Sequence, residues 1–104
     1  MSIAAIVLAA GASTRMGTPK PLLSWGKQSL LNWELEQLQD SLVHDIVIVT
    51  GAHADDVRRS LDDTVRQFCV FNARWAQGRS TSLAAGAGAL LSATKERPDI
   101  VLVQ

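Results

Sequence analysis

Ile3-Ala4-Ala5-Ile6-Val7-Leu8-Ala9-Ala10-Gly11 is the stretch on which the fold turns. An apolar run from Ile3 to Leu8, rich in branched side chains, passes straight into small residues and a glycine. A short continuous apolar run bounded by a turn signal reads as a strand buried on both faces. Asp45 to Thr50 has the same character, with Ile46, Val47, Ile48 and Val49 followed by Gly51. Phe68 to Phe71 is a shorter strand candidate, and Ile100 to Val103, after Pro98 and Asp99, is a fourth.

Helical periodicity fills the intervals. Leu31, Leu35, Leu38 and Leu42 form one apolar stripe, with Glu34, Glu36 and Asp40 off it. Val57, Leu61 and Val65 form a weaker one beside Arg58, Arg59, Asp62 and Asp63. Leu83, Ala87, Leu90 and Leu91 predict a third helix over Ser80 to Thr94, in which Gly86 and Gly88 cost about 1 kcal/mol each relative to alanine and mark close packing on a sheet. The order is β-loop-α-β-α-β-α-β. Buried strands alternating with amphipathic helices predict an α/β fold, a Rossmann-like, doubly wound, mainly parallel sheet with helices on both faces.

Composition bounds the function. The chain has 104 residues, 47% hydrophobic and 19% charged, the composition of one small folded unit. Ten basic residues balance ten acidic ones, which excludes nucleic-acid binding through bulk charge. No apolar stretch approaches the ~20 residues of a membrane span, and no basic leader precedes the first strand, so a cytoplasmic protein without a membrane partner is expected. Cys69, the single cysteine, reads as a small packed hydrophobe. His44 and His53 are too isolated to predict a metal site. Charge is uneven along the chain. Residues 1–33 carry Arg15, Lys20 and Lys27 and no acid, whereas residues 34–63 carry eight acids against Arg58 and Arg59. An acid-free segment is a place for an anion.

That segment holds a long connection, from Gly11 to a helix start near Ser29. About eighteen residues without regular structure is far beyond the usual 2–6 of a βα loop. Two phosphate loops are excluded. A P-loop needs G-x-x-x-x-G-K-(S/T), but Lys20 lies three residues after Gly17. The dinucleotide fingerprint needs G-x-G-x-x-G, but positions 13 and 16 are Ser13 and Met16. What remains still suits a nucleotide. Ala9, Ala10, Gly11, Ala12 and Ser13 let backbone N–H groups approach a polyphosphate. Arg15 offers a fork of donors, and Lys20 a compact charge fixed between Pro19 and Pro21. Each charge-assisted bond to phosphate is worth about 1.5–3 kcal/mol. Further along, Gly78-Arg79-Ser80-Thr81-Ser82 combines a flexible glycine, capping hydroxyls and free N–H groups. Trp75 reads as a core anchor, and Arg74 and Arg79 as surface charges.

Leu8 to Leu23 resembles the L-A-(A/G)-G-x-(S/G)-x-R-M-G-x-x-K-x-L-L signature of the MobA-like NTP transferases. Asn72 to Leu83 resembles the N-x-x-W-x-x-G-x-x-x-S-L segment of their molybdopterin cytidylyltransferase branch, and Ala10, where the guanylyltransferase branch has a second glycine, agrees with CTP. The resemblance implies a fold of the nucleotide-diphospho-sugar transferase type, of which residues 1–104 would be the N-terminal nucleotide-binding half, ending after the fourth strand. It implies that Leu8, Ala9, Ala10 and Gly11 contact base and sugar through the backbone. Ser13 and Arg15 would hold the β- and γ-phosphates, and Lys20 would sit by the α-phosphate, making Arg15 and Lys20 the catalytic pair. Thr50, Gly51 and Asn72 would line the base pocket, with Gly78 and Ser82 near the nucleotide. It further implies Mg²⁺, held by an aspartate in a (G/V)-D-x-P turn expected beyond residue 104, and a molybdopterin-like acceptor. The activity expected is CMP transfer to a phosphate acceptor. A nucleotide-binding piece without turnover, and GTP- or sugar-phosphate-type transferases, are the alternatives. A dimer through the exposed edge of the fourth strand is also expected.

Overall fold

The computed structural model describes residues 3–11, 24–25, 28–39, 43, 45–61, 63–93 and 98–103. Four strands form one all-parallel sheet: β1 (Ile3–Ala9), β4 (Asp45–Thr50), β5 (Cys69–Phe71) and β6 (Ile100–Val103), in the order β5-β4-β1-β6. β1 is central. Ile6 faces Val47 of β4 on one side and Val103 of β6 on the other. The expected doubly wound α/β sheet is therefore present, and every pairing in it is parallel.

Alternation along β1 divides the core in two. Ala5, Val7 and Ala9 face α1 (Leu30–Gln39), α2 (Ala54–Ser60) and α3 (Asp63–Arg66), packing with Ile48, Leu31, Leu35 and Val57. Ala4 and Ile6 face α4 (Arg79–Ala93), with Val47, Val49 and Leu90.

Three details depart from the sequence reading. The connection after β1 is not wholly irregular, because β2 (Ser24–Trp25) and β3 (Gln28–Ser29) pair as a small antiparallel hairpin just before α1. The second helix is broken. Val57, Leu61 and Val65 are all buried as the stripe predicts, but Leu61 is extended at φ −91° and ψ 151°, so the stripe is carried by α2 and α3. The third stripe is shifted. Ser82, Gly86 and Leu90 are the buried positions of α4, while Ala87 is exposed and Leu91 is 56% exposed. The reason is steric: a β-carbon on Gly86 would lie 2.7 Å from Ile6 Cγ2. The helix approaches the sheet through its smallest residues, and a pattern weighted by large apolar side chains misses that face. A β-carbon on Gly88 would meet none of the described residues within 4 Å.

β6 ends the sheet as an edge whose four apolar side chains are 41–43% exposed.

Candidate functional site

The topology fixes where a site belongs. From β1 the chain winds to β4 and β5 on one side, then α4 returns it to β6 on the other. Winding reverses at β1, and in open α/β sheets ligands bind outside the carboxyl ends of the strands at that point. A cavity of about 240 Å³ lies there. Leu8, Ala10 and Gly11 line it from the end of β1, Gly78, Arg79 and Ser82 from the start of α4, and Trp75 between them.

The segment that closes this cavity is held by Asn72. Its backbone N–H donates to the Thr50 carbonyl at 2.8 Å, extending the β4–β5 ladder by one bond. Its side-chain Nδ2 donates to Thr81 Oγ1 and Ser82 Oγ, both at 2.9 Å, and its Oδ1 accepts from the Arg74 N–H at 2.9 Å. Thr81 Oγ1 in turn lies 2.9 Å from the Arg74 carbonyl and 2.7 Å from that of Gly78. Buried and fully bonded, Asn72 ties the end of β5 to the first turn of α4. Between them Trp75–Gln77 form a single 3₁₀ turn, and Gly78 takes φ +119°, a conformation that favours glycine.

Gly51 is the second fixed point. A β-carbon there would lie 2.6 Å from Trp75 Cβ and 2.7 Å from the Ala10 carbonyl oxygen. Only a bare α-carbon lets β4 end against both walls of the cavity. The Ala52 N–H donates to that Ala10 carbonyl at 3.1 Å, and Thr50 Oγ1 to the Val70 carbonyl at 3.3 Å.

Of the residues expected at the site, the structure brings Leu8, Ala10, Gly11, Gly78 and Ser82 around one cavity. Thr50 and Gly51 line a different one, of about 640 Å³. Ala9 points to the opposite face of the sheet, into the core beneath α1 to α3. Ser13, Arg15 and Lys20 lie outside the described residues. Sequence reasoning passed over Trp75 and Arg79 as lining residues. Trp75 packs on the core as expected and walls the cavity as well, while Arg79 opens α4 at the cavity rim. Their place between Asn72 and a helix N-terminus was the available signal.

Cys69 is a free, half-buried thiol on β5. Burial pushes its pKa up, and the nearby guanidinium groups of Arg58 and Arg66 only partly oppose that. A raised pKa disfavours the thiolate that a nucleophilic cysteine needs. Among the described residues no group of three or more His, Cys, Asp or Glu side chains could hold a metal ion. Among them, no helix is long and apolar enough to cross a membrane.

The parallel sheet, the reversal at β1 and the cavity beside it define a Rossmann-like α/β fold with a cavity at its switch point. The chain belongs to the MobA-like NTP transferase domain family, whose sequence model matches residues 5–103. It is 38% identical over 68 residues to the bifunctional protein GlmU of Alkaliphilus oremlandii, a match covering 64% of this chain and 15% of that protein. In structure it is similar to Rv0371c from Mycobacterium tuberculosis H37Rv, with a TM-score of 0.73, 25% identity, and coverage of 99% of this chain and 52% of the other. The homologue of that protein from Mycobacterium sp. strain JC1 gives a TM-score of 0.70 and 28% identity, covering 97% and 50%. The chain thus spans about half the length of these solved relatives and a smaller part of the curated one.

Proposed function

We propose that this chain supplies the nucleotide-binding half of a nucleotidyltransferase that binds CTP with Mg²⁺ and passes CMP to a phosphate acceptor such as molybdopterin. The observation that supports the proposal is the convergence of Leu8, Ala10, Gly11, Gly78 and Ser82 on one cavity at the switch point, in a chain of the MobA-like family. At about 240 Å³ the cavity falls below the ~300–1,000 Å³ of sites that enclose a whole drug-sized ligand. It suits the base end of a nucleotide, with the triphosphate leaving the cavity past Gly11. Small apolar walls and Trp75 favour a flat base, while Arg79 at the rim and the buried Ser82 hydroxyl offer donors.

In the proposed reaction an acceptor phosphate oxygen attacks the α-phosphorus. The new P–O bond forms as the bond to the β-phosphate breaks, and pyrophosphate leaves with the electron pair. No protein nucleophile is required. Arg15 and Lys20 would align the triphosphate and neutralise the charge that builds on it. Mg²⁺ would add neutralisation when bound. The described residues offer no cluster of three or more His, Cys, Asp or Glu side chains for it. A cytoplasmic setting and a second copy pairing along β6 belong to the same proposal.

Calorimetric titration with CTP, GTP and UTP, with and without Mg²⁺, tests the base preference. CTP is expected to bind most tightly, and preference for GTP would overturn the cytidine assignment. Pyrophosphate release by this chain, with molybdopterin or sugar phosphates as acceptors, separates turnover from binding alone. Light scattering reads the oligomeric state.

A further inference from the structure

The cavity of about 640 Å³ lies away from the switch point, outside the carboxyl ends of β4 and β5, and the proposed reaction makes no use of it. We propose that it is a second ligand site, for a flat aromatic ring that carries an anionic group. Its volume is within the ~300–1,000 Å³ of small-molecule sites.

Its lining is chemically specific. Phe71, the last residue of β5, is 59% exposed beside it, an aromatic surface that none of the described residues covers. Arg58 on α2 has no hydrogen-bond or ion-pair partner for its guanidinium among the described residues. Its neighbours differ: Arg59 is paired with Asp56 at 2.6 Å and Arg66 with Asp63. Arg58 is therefore the lining cation left to take an anion. Asp55, one turn before it, also lines the cavity, and its carboxylate is bonded to none of the described residues, so it can accept from a ring N–H. His53 Nε2 is buried without a hydrogen-bond partner among the described residues. A buried polar atom left unpaired in a native fold calls for an explanation, and a ligand that turns the imidazole toward itself supplies one.

Gly51 joins this cavity to the other. It lines the larger one and abuts Ala10 and Trp75, which wall the smaller.

The test is a backbone-amide NMR titration of the whole chain with phenyl phosphate, with inorganic phosphate and CTP as separate arms. Phenyl phosphate is expected to give saturable shifts at residues 51–59 and at Phe71, and Arg58→Gln and Phe71→Ala are each expected to weaken it by about tenfold, the scale of one lost charge-assisted or ring contact. Both positions are exposed, so the variants should keep the wild-type spectrum elsewhere. Shifts confined to Gly11, Gly78 and Ser82, unchanged affinity in both variants, or equal binding of inorganic phosphate would overturn the site. CTP reports on the switch-point cavity independently, so failure of the nucleotide reading is seen separately.

Discussion

Gly51 stands against Trp75 with no room for a β-carbon: one placed there would be 2.6 Å from Trp75 Cβ and 2.9 Å from Ala10 Cβ. The end of β4 thereby sets the distance between the two walls of the switch-point cavity. Gly51→Ala must push both walls outward. A loss of about 1–3 kcal/mol in urea unfolding is expected, the usual cost of overpacking. Nucleotide affinity measured by calorimetry should fall with it. Wild-type affinity in a folded Gly51→Ala protein would contradict the spacing role.

Asn72→Ala removes the donor to Thr81 and Ser82 and leaves the Arg74 N–H without its acceptor. The expected loss is about 1–3 kcal/mol for the unpaired groups. Hydrogen exchange should show it locally, with residues 74–82 losing protection before the sheet does.

The two glycines of α4 should answer alanine with opposite signs. Gly88→Ala meets open space and should stabilise by about 0.5–1 kcal/mol through helix propensity. Gly86→Ala meets Ile6 Cγ2 at 2.7 Å and Val49 Cγ2 at 3.2 Å, and the clash should outweigh that gain. Paired thermal melts of the two variants decide the matter.

Cys69 should resist alkylation. Its thiol pKa is raised chiefly by burial, so the native protein holds less thiolate than an unfolded chain at mildly alkaline pH. Because the folded-state pKa is the higher, the associated stability is complete below the unfolded thiol's pKa and is lost as pH rises through the folded one. Iodoacetamide should label native protein more slowly than urea-unfolded protein at the same pH, and equal rates would contradict the shift.

Lys20→Ala tests the proposed chemistry. In a chain that turns over, pyrophosphate release should fall by at least about a hundredfold, the scale of a lost electrostatic contact in a transition state, with circular dichroism unchanged. Near wild-type turnover would remove Lys20 from the catalytic pair.

Much of this architecture was legible because strands and stripes are local signals. Ile3 to Leu8 and Asp45 to Thr50 announce buried parallel strands by composition alone, and both are strands in the structure. The shifted face of α4 was not legible. Burial there follows how closely Gly86 approaches Ile6, a distance set between elements far apart in sequence. The break at Leu61 escaped for a related reason: the apolar spacing is kept across α2 and α3 while the backbone is not.

The sequence by itself determined the order of elements and the residue types at the carboxyl ends of the strands, since hydrophobic periodicity and glycine placement act over a few residues. Only the tertiary structure decided how those residues are grouped. It gathered Leu8, Ala10, Gly11, Gly78 and Ser82, added Trp75 and Arg79, turned Ala9 to the other face, and set Thr50 and Gly51 on a separate cavity. The physical reason is that a cavity is what packing leaves between elements. Its walls depend on contacts such as Gly51 on Trp75, which no local pattern encodes.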